Sequence, residues 1–425
     1  MKLETLNETE IIRTLIALAL LLLGAYLFGK LFEKMKAPKV VGEIIGGMLF
    51  GGSCLYHFFP NAMEQIFMAY SAEGKVLNIF YQLGLIFLMF SSGFNTKLEL
   101  DRKNGKSIML VFVGATVLPM LAAIPFVSFF QPYFMETGGN EVAFFLVFLI
   151  GVAITSIPVI SKIFFDMGIM NTKFSNTVLT VSTFQDLCLW ILLNAATRIA
   201  NTGKVKWTDM LLVVLFTLGM FAIAKFVADK TNKKSIKMKS TDFFTISFVF
   251  LLAAAGLLYM LGINIMYSAF LVGYIIKSFS GMDEETEKRI QTISDFSFSF
   301  FIPIYFALVG IQLNVIHNFS WIRFVLFFIL AFSLEAIGTV VMLLLSDFNK
   351  RTIINFAVTM NARGGPGIVL ATVAYSYQII NIEYFTVLIL TTMLSSLIAG
   401  YWLRMQQIKD SNIFMNLTKI SKGEE

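Results

Sequence analysis

The chain has 425 residues, 57% of them hydrophobic and only 14% charged, with a formal charge of +6. A soluble globular domain carries about 25% charged residues, whereas here apolar stretches of roughly 17–25 residues, long enough to cross bilayer hydrocarbon, recur throughout. A soluble protein is therefore excluded, and the positive residues, scattered through loops between the apolar runs, offer no surface for nucleic acid.

Thirteen spans are predicted, at about 11–30, 38–56, 74–93, 106–130, 141–163, 173–197, 207–228, 241–260, 262–279, 293–316, 321–346, 351–379 and 384–404. The first has no processing site after it and is followed by many like it, so it reads as a span, not a signal peptide. In the second, Glu43 stands in the small-residue segment Gly42 to Gly52, where glycines allow close helix approach, and it is expected to serve packing or an interface. The fifth carries Ile154-Thr155-Ser156-Ile157-Pro158. Lys162 and Asp166 at its end read as a snorkelling lysine and a solvated carboxylate. The sixth holds Asp186 among Leu179 to Leu193, with no Lys or Arg one turn away. The eighth and ninth meet around Leu261 and Gly262, and Asp283 to Arg289 reads as a short charged turn. Glu335 lies within the eleventh span, and the twelfth carries Asn361-Ala362-Arg363-Gly364-Gly365-Pro366-Gly367. Trp207 and Trp321 at span starts fit interfacial anchoring. Cys54 and Cys188 both lie in apolar segments, so neither a disulfide framework nor a thiolate metal site is expected.

With the N-terminus outside, most of the 33 Lys and Arg fall in inner loops, among them Lys34, Lys36, Lys39, Arg102, Lys103, Lys230 to Lys239, Lys350 and Arg351. The positive-inside rule favours this orientation, with a cytoplasmic C-terminus. The chain holds no GxGxxG and no P-loop. ATP-driven work, a cofactor and enzymatic turnover are therefore not expected, and an ion gradient or membrane potential must supply the energy.

Thirteen spans divide into a first repeat at about 11–197, a linker helix at 207–228 and a second repeat at 241–404. Together they form one transmembrane unit over 1–405, followed by a short tail, 406–425. The fifth span of each half should be broken, the first at Pro158 and the second at Gly364, Gly365 and Pro366, because Pro removes a backbone donor and Gly tolerates irregular dihedrals. Unwound backbone at membrane depth is tolerated only inside protein or beside water. Broken helices in matching positions of two halves are the best sequence pointer to a secondary transporter's ion site.

The ionisable residues at depth complete that picture. Asp186 must find its partner on another helix, in water or in a transported cation, and it can hold a proton or a metal ion but not both. Gln185 offers a neutral carbonyl oxygen, and Thr155 and Ser156 offer hydroxyl and unwound carbonyl oxygens. One carboxylate with neutral oxygens suits a monovalent cation better than calcium, which usually takes more than one anionic ligand. Arg363 has Glu335 as its natural salt-bridge partner; the alternative is that Glu335 is a second proton-binding carboxylate.

Three stretches then resemble a known family. They are Pro38 to Gly47, Leu83 to Phe94, and the combination of Thr155 to Ile160 with Phe184-Gln185-Asp186 and Asn361-Ala362-Arg363-Gly364. Together they resemble the monovalent cation:proton antiporters of the second family, in the branch of bacterial potassium-efflux antiporters and plant cation/proton exchangers. The resemblance implies an all-α polytopic fold of inverted repeats with two crossed broken helices, and a homodimer in a cell membrane, the inner membrane of a bacterium. It implies a core domain, here about 106–197 and 321–404, moving against a dimerisation scaffold, with Asp186 alternating between cation and protons. Arg363 matches the basic residue beside the second unwound helix. The Gln185-Asp186 pair looks like the potassium-efflux members and turns the expected cation toward K+. Glu335 stands where some electrogenic relatives have Lys, which makes one-for-one exchange the simpler expectation. Those potassium-efflux relatives also carry a nucleotide-binding regulatory domain that this sequence lacks, so nucleotide gating is not expected. The competing readings are Na+/H+ exchange and, from another class, a cation channel or sensor on the same scaffold.

Overall fold

In hydrocarbon an apolar run must satisfy its backbone internally, and a helix does so within a single segment. The computed structural model describes residues 5–95, 105–170, 172–203, 215, 219, 240–260, 264–278, 292, 295–317, 319–415 and 417, and among them every regular element is helical; one isolated bridge joins Met135 and Ile380. In chain order the helices are α1 (Glu8–Lys34), α2 (Lys39–Met48), α3 (Leu55–Phe58), α4 (Pro60–Phe67), α5 (Ser71–Asn95), α6 (Gly105–Phe112), α7 (Leu118–Phe134), α8 (Glu141–Val152) and α9 (Ile157–Asp166). There follow α10 (Lys173–Thr202), α11 (Ser240–Met260), α12 (Ile265–Ser278), α13 (Phe301–Gln312), α14 (Trp321–Leu343), α15 (Lys350–Met360), α16 (Gly364–Ser376) and α17 (Ile382–Lys409). Polar residues between the apolar runs set many of the starts. Asn7, Asn140, Thr172, Ser320, Asn349 and Asn381 each accept a first-turn N–H, which satisfies a donor the helix itself leaves open.

Seven helices among the described residues are long and apolar enough to cross a bilayer alone. The fifth and twelfth spans are each divided, at 153–156 into α8 and α9 and at 361–363 into α15 and α16. The second span differs from its expected single run. It is helical only to Met48, turns through the glycine pair Gly51-Gly52, and resumes as the one-turn α3. The linker helix (residues 215 and 219 apart), Trp207, the junction at Leu261 and Gly262, the turn at Asp283 to Arg289, the inner-loop residues Arg102, Lys103 and Lys230 to Lys239, and residues 416 and 418–425 of the tail lie outside the described residues.

The chain divides into two compact units, each drawing on both halves of the sequence: Met1–Thr96 with Trp207–His317, and Lys97–Lys206 with Asn318–Glu425. Glycine sets the helix spacing in the first. A Cβ at Gly47 would run into the backbone of Ala307, and one at Gly93 into that of Phe270, so α2 meets α13 and α5 meets α12 at backbone contact. Glu43 lies buried there and pairs with Lys39 one turn earlier at 3.0 Å. In the second unit α6 and α7 form one continuous rod with a π-helical turn at Val113–Val117. At that turn Gly114 and Gly338 let the rod lie directly against α14. An aromatic cluster of Phe134, Phe148, Phe327 and Tyr384 closes one end of this unit, with the Phe134 and Tyr384 rings stacked at 4.5 Å.

Candidate functional site

Both breaks lie in the second unit, and their termini are satisfied by exchange. Where α8 ends, its last carbonyls have no helical partners. Arg363, from the other broken segment, supplies them: Nη1 donates to Gly151 O at 2.6 Å and Nη2 to Val152 O at 2.9 Å. Where α15 ends, Thr155 from the first segment returns the favour, its hydroxyl donating to Met360 O at 2.5 Å. The two segments are tied directly by Ser156 N–H, which donates to Ala362 O at 2.7 Å. Ser156 Oγ accepts from Val159 N at 3.4 Å and so caps α9. At the start of α16, Gly364 N–H donates to Ser396 Oγ.

That crossing needs glycine at 364. Its φ is +38°, and a Cβ there would overlap the Ser156 side chain and Val159. Gly364→Ala is therefore expected to cost about 1–3 kcal/mol in backbone strain alone, read as a lower melting temperature in detergent. An unchanged melting temperature would remove glycine from this account of the crossing. Gly365 and Pro366 follow in the first turn of α16; Pro158 stands in the first turn of α9.

Arg363 and Glu335 are 1% and 0% exposed and form an ion pair at 3.0 Å, Nη2 to Oε2. Thr155 Oγ1 also lies 3.3 Å from Glu335 Oε1. The guanidinium thus spans a carboxylate and two helix-end carbonyls, a planar multidentate role that lysine could not fill.

Asp186 is different. It sits midway along α10, which packs against α8, α9, α15 and α16. It is 1% exposed, and among the described residues neither carboxylate oxygen has a hydrogen-bond partner. Gln185, just before it, is fixed by its amide: Nε2 donates to Ala153 O at 2.9 Å, in the first break, and lies 3.3 Å from Ala115 O in the π-turn. Its carbonyl Oε1 has no hydrogen-bond partner among the described residues. Of the four oxygen donors read from the sequence, the Asp186 carboxylate and Gln185 Oε1 are open, whereas the Thr155 and Ser156 hydroxyls are engaged in holding the crossing. A buried carboxylate without a bond must be neutralised by something else, a proton or a small cation.

Several participants carry no sequence signal. Ala153, Ala115 and Met360 contribute through backbone carbonyls, which any residue supplies. The buried Asn361 Oδ1, Thr116 Oγ1 and Ser182 Oγ are likewise without partners, and Ser182 lies one turn before Asp186 on the same face of α10. Only this i, i+4 spacing from Asp186 could have singled Ser182 out.

Residues 18–406 match the model of the transmembrane sodium/hydrogen exchanger family. The chain is 26% identical to Cation/H(+) antiporter 20 of Arabidopsis thaliana over 89% of its own length and 47% of that protein's. It is 24% identical to the Na(+)/H(+) antiporter NhaS4 of Synechocystis, over 92% and 97% respectively. It is 25% identical to K(+)/H(+) antiporter 1 of Saccharomyces cerevisiae, over 86% and 43%. The chain thus spans about half the length of the plant and yeast proteins and nearly all of the cyanobacterial one. Its fold is similar to that of the sodium proton antiporter MjNhaP1 from Methanocaldococcus jannaschii, with a TM-score of 0.67 and 16% identity over 94% of this chain and 99% of the other.

Proposed function

The chain belongs to the transmembrane sodium/hydrogen exchanger family, and from that premise we propose that this multi-pass membrane protein exchanges a monovalent cation, K+ in preference to Na+, for protons at Asp186. The observation that carries the reading is a fully buried carboxylate with two unbonded oxygens, on the helix that packs against all four half-helices. Protons and the cation compete for that one group. Charging it with either removes the penalty of a bare buried anion, so the loaded carrier can change its facing while the empty, charged one is held back. Gln185 Oε1 adds a neutral oxygen beside the single negative charge, a set that favours a monovalent ion over a divalent one. The preference for K+ rests on the Gln185-Asp186 pair. A homodimer, an inward-facing C-terminus and a bacterial inner membrane belong to the same proposal.

Na+/H+ exchange is the second reading, favoured by the name of the Synechocystis relative. Proteoliposomes with a trapped pH dye, given equal outward gradients of K+, Na+, Li+ or Rb+, separate the two. The expected result is proton flux driven against its own gradient, largest with K+. A larger response to Na+ selects the second reading, and cation current without coupled proton movement overturns exchange in favour of a channel.

A further inference from the structure

The chain contains two histidines, 260 residues apart in sequence, and they meet. His57, in α3, brings Nδ1 to 3.3 Å from Nε2 of His317, in the segment after α13, and both rings are exposed. Both belong to the first unit, whereas Asp186 belongs to the second. We propose that His57 and His317 form a two-imidazole binding site for a borderline divalent transition-metal ion of the zinc class.

The separation is the first argument. Two imidazole nitrogens on a tetrahedral zinc ion, each about 2.0–2.1 Å from the metal, stand roughly 3.3–3.4 Å apart. The ring nitrogens, 3.3 Å apart, already hold that spacing. Preorganisation is the second. The segments that carry the rings are fastened to each other independently of the histidines: Ser53 Oγ, just before α3, donates to Leu313 O at 2.7 Å and accepts from Val315 N at 3.1 Å. Asn314 Oδ1 accepts from His317 N–H at 2.8 Å and fixes the turn beneath that ring. Phe58 meets the His57 ring edge-on at 5.2 Å. Binding therefore asks little further ordering of the chain.

The proton balance is simple. Each neutral ring must present a lone pair to the metal, so His57 keeps its hydrogen on Nε2 and His317 on Nδ1, and no proton is released from either neutral imidazole. Among the described residues no group of three or more His, Cys, Asp or Glu is placed to hold a metal, so water completes the coordination. Imidazole ligands suit zinc, nickel and copper ions and discriminate against magnesium and calcium, which take oxygen. An ion here would fasten the loop after α2 to the end of α13.

The test uses full-length protein freed of any histidine tag, titrated with zinc chloride by calorimetry and melted with and without about 100 µM zinc. One zinc ion per chain and a raised melting temperature are expected, with no such effect from magnesium or calcium. His57→Gln and His317→Gln should each weaken zinc binding at least tenfold and abolish the thermal shift. Chelation with EDTA should reverse the thermal shift in the unaltered protein, and this readout holds even if a variant folds poorly. Zinc binding that survives both substitutions, or no zinc-dependent shift in the unaltered protein, would overturn the site. Neither outcome touches the proposed exchange at Asp186.

Discussion

Asp186→Asn is expected to abolish cation-driven proton flux while leaving the protein as stable as before or more so. The two halves of that expectation have one cause. Among the described residues the Asp186 oxygens have no hydrogen-bond or ion-pair partner, so an amide of the same shape forfeits no structural contact there. It also removes a charge whose burial opposes folding whenever it is bare. An amide can neither take up a proton near neutral pH nor neutralise a cation, so both halves of the exchange are lost together. A variant impaired by misfolding would show a lower melting temperature along with its lost flux; this one should lose flux at an equal or higher melting temperature. Proton flux near the rate of the unaltered protein, in the same proteoliposomes, would remove Asp186 from the centre of the mechanism.

The residues that could be read from the sequence share one physical property: each is costly where it stands. A carboxylate within Leu179 to Leu193, a glutamate within Phe324 to Leu345 and an arginine beside a glycine-proline run all stand out against apolar surroundings, because hydrocarbon makes every ionisable group expensive. The chain breaks were legible for the same kind of reason, since Pro158 and Gly364-Gly365-Pro366 disfavour continuous helix. What escaped is whatever the backbone supplies. The sequence Val113-Gly114-Ala115-Thr116-Val117 reads as helix, and nothing in its residue types announces the π-turn that brings Ala115 O towards Gln185. Thr155 reads as an available oxygen because it adjoins the break, yet its hydroxyl is committed to Met360 O, an acceptor no motif encodes. Helix-end carbonyls must be satisfied somewhere. The crossing satisfies them with the very side chains that, in one dimension, look free for a ligand. Hydropathy likewise finds spans but not their neighbours, so the expected core of about 106–197 and 321–404 comes from the family resemblance and not from the residue types.

Arg363→Ala should be the most destabilising single substitution at the crossing, and its effect should fall on stability before transport. Truncation strips three acceptors at once. Glu335 becomes a buried carboxylate without its counter-ion, a change that in proteins costs about 3–5 kcal/mol. Gly151 O and Val152 O also lose their donors at the end of α8, at about 1–3 kcal/mol for each buried group left unsatisfied. Glu335→Gln should be milder, because Arg363 keeps both carbonyls and the glutamine Oε1 can still accept from it. In Arg363→Ala/Glu335→Gln the bare carboxylate is gone, so the double variant should be more stable than Arg363→Ala alone. Thermal melts of the four proteins in one detergent form a double-mutant cycle that isolates the pair from the carbonyl bonds. Transport by Glu335→Gln in proteoliposomes decides the role of Glu335. As the structural partner of Arg363 it should allow Glu335→Gln to retain proton-coupled exchange, whereas a second proton-carrying carboxylate would lose it or change its stoichiometry. Equal melting temperatures for Arg363→Ala and the unaltered protein would mean that the guanidinium does not hold the crossing together.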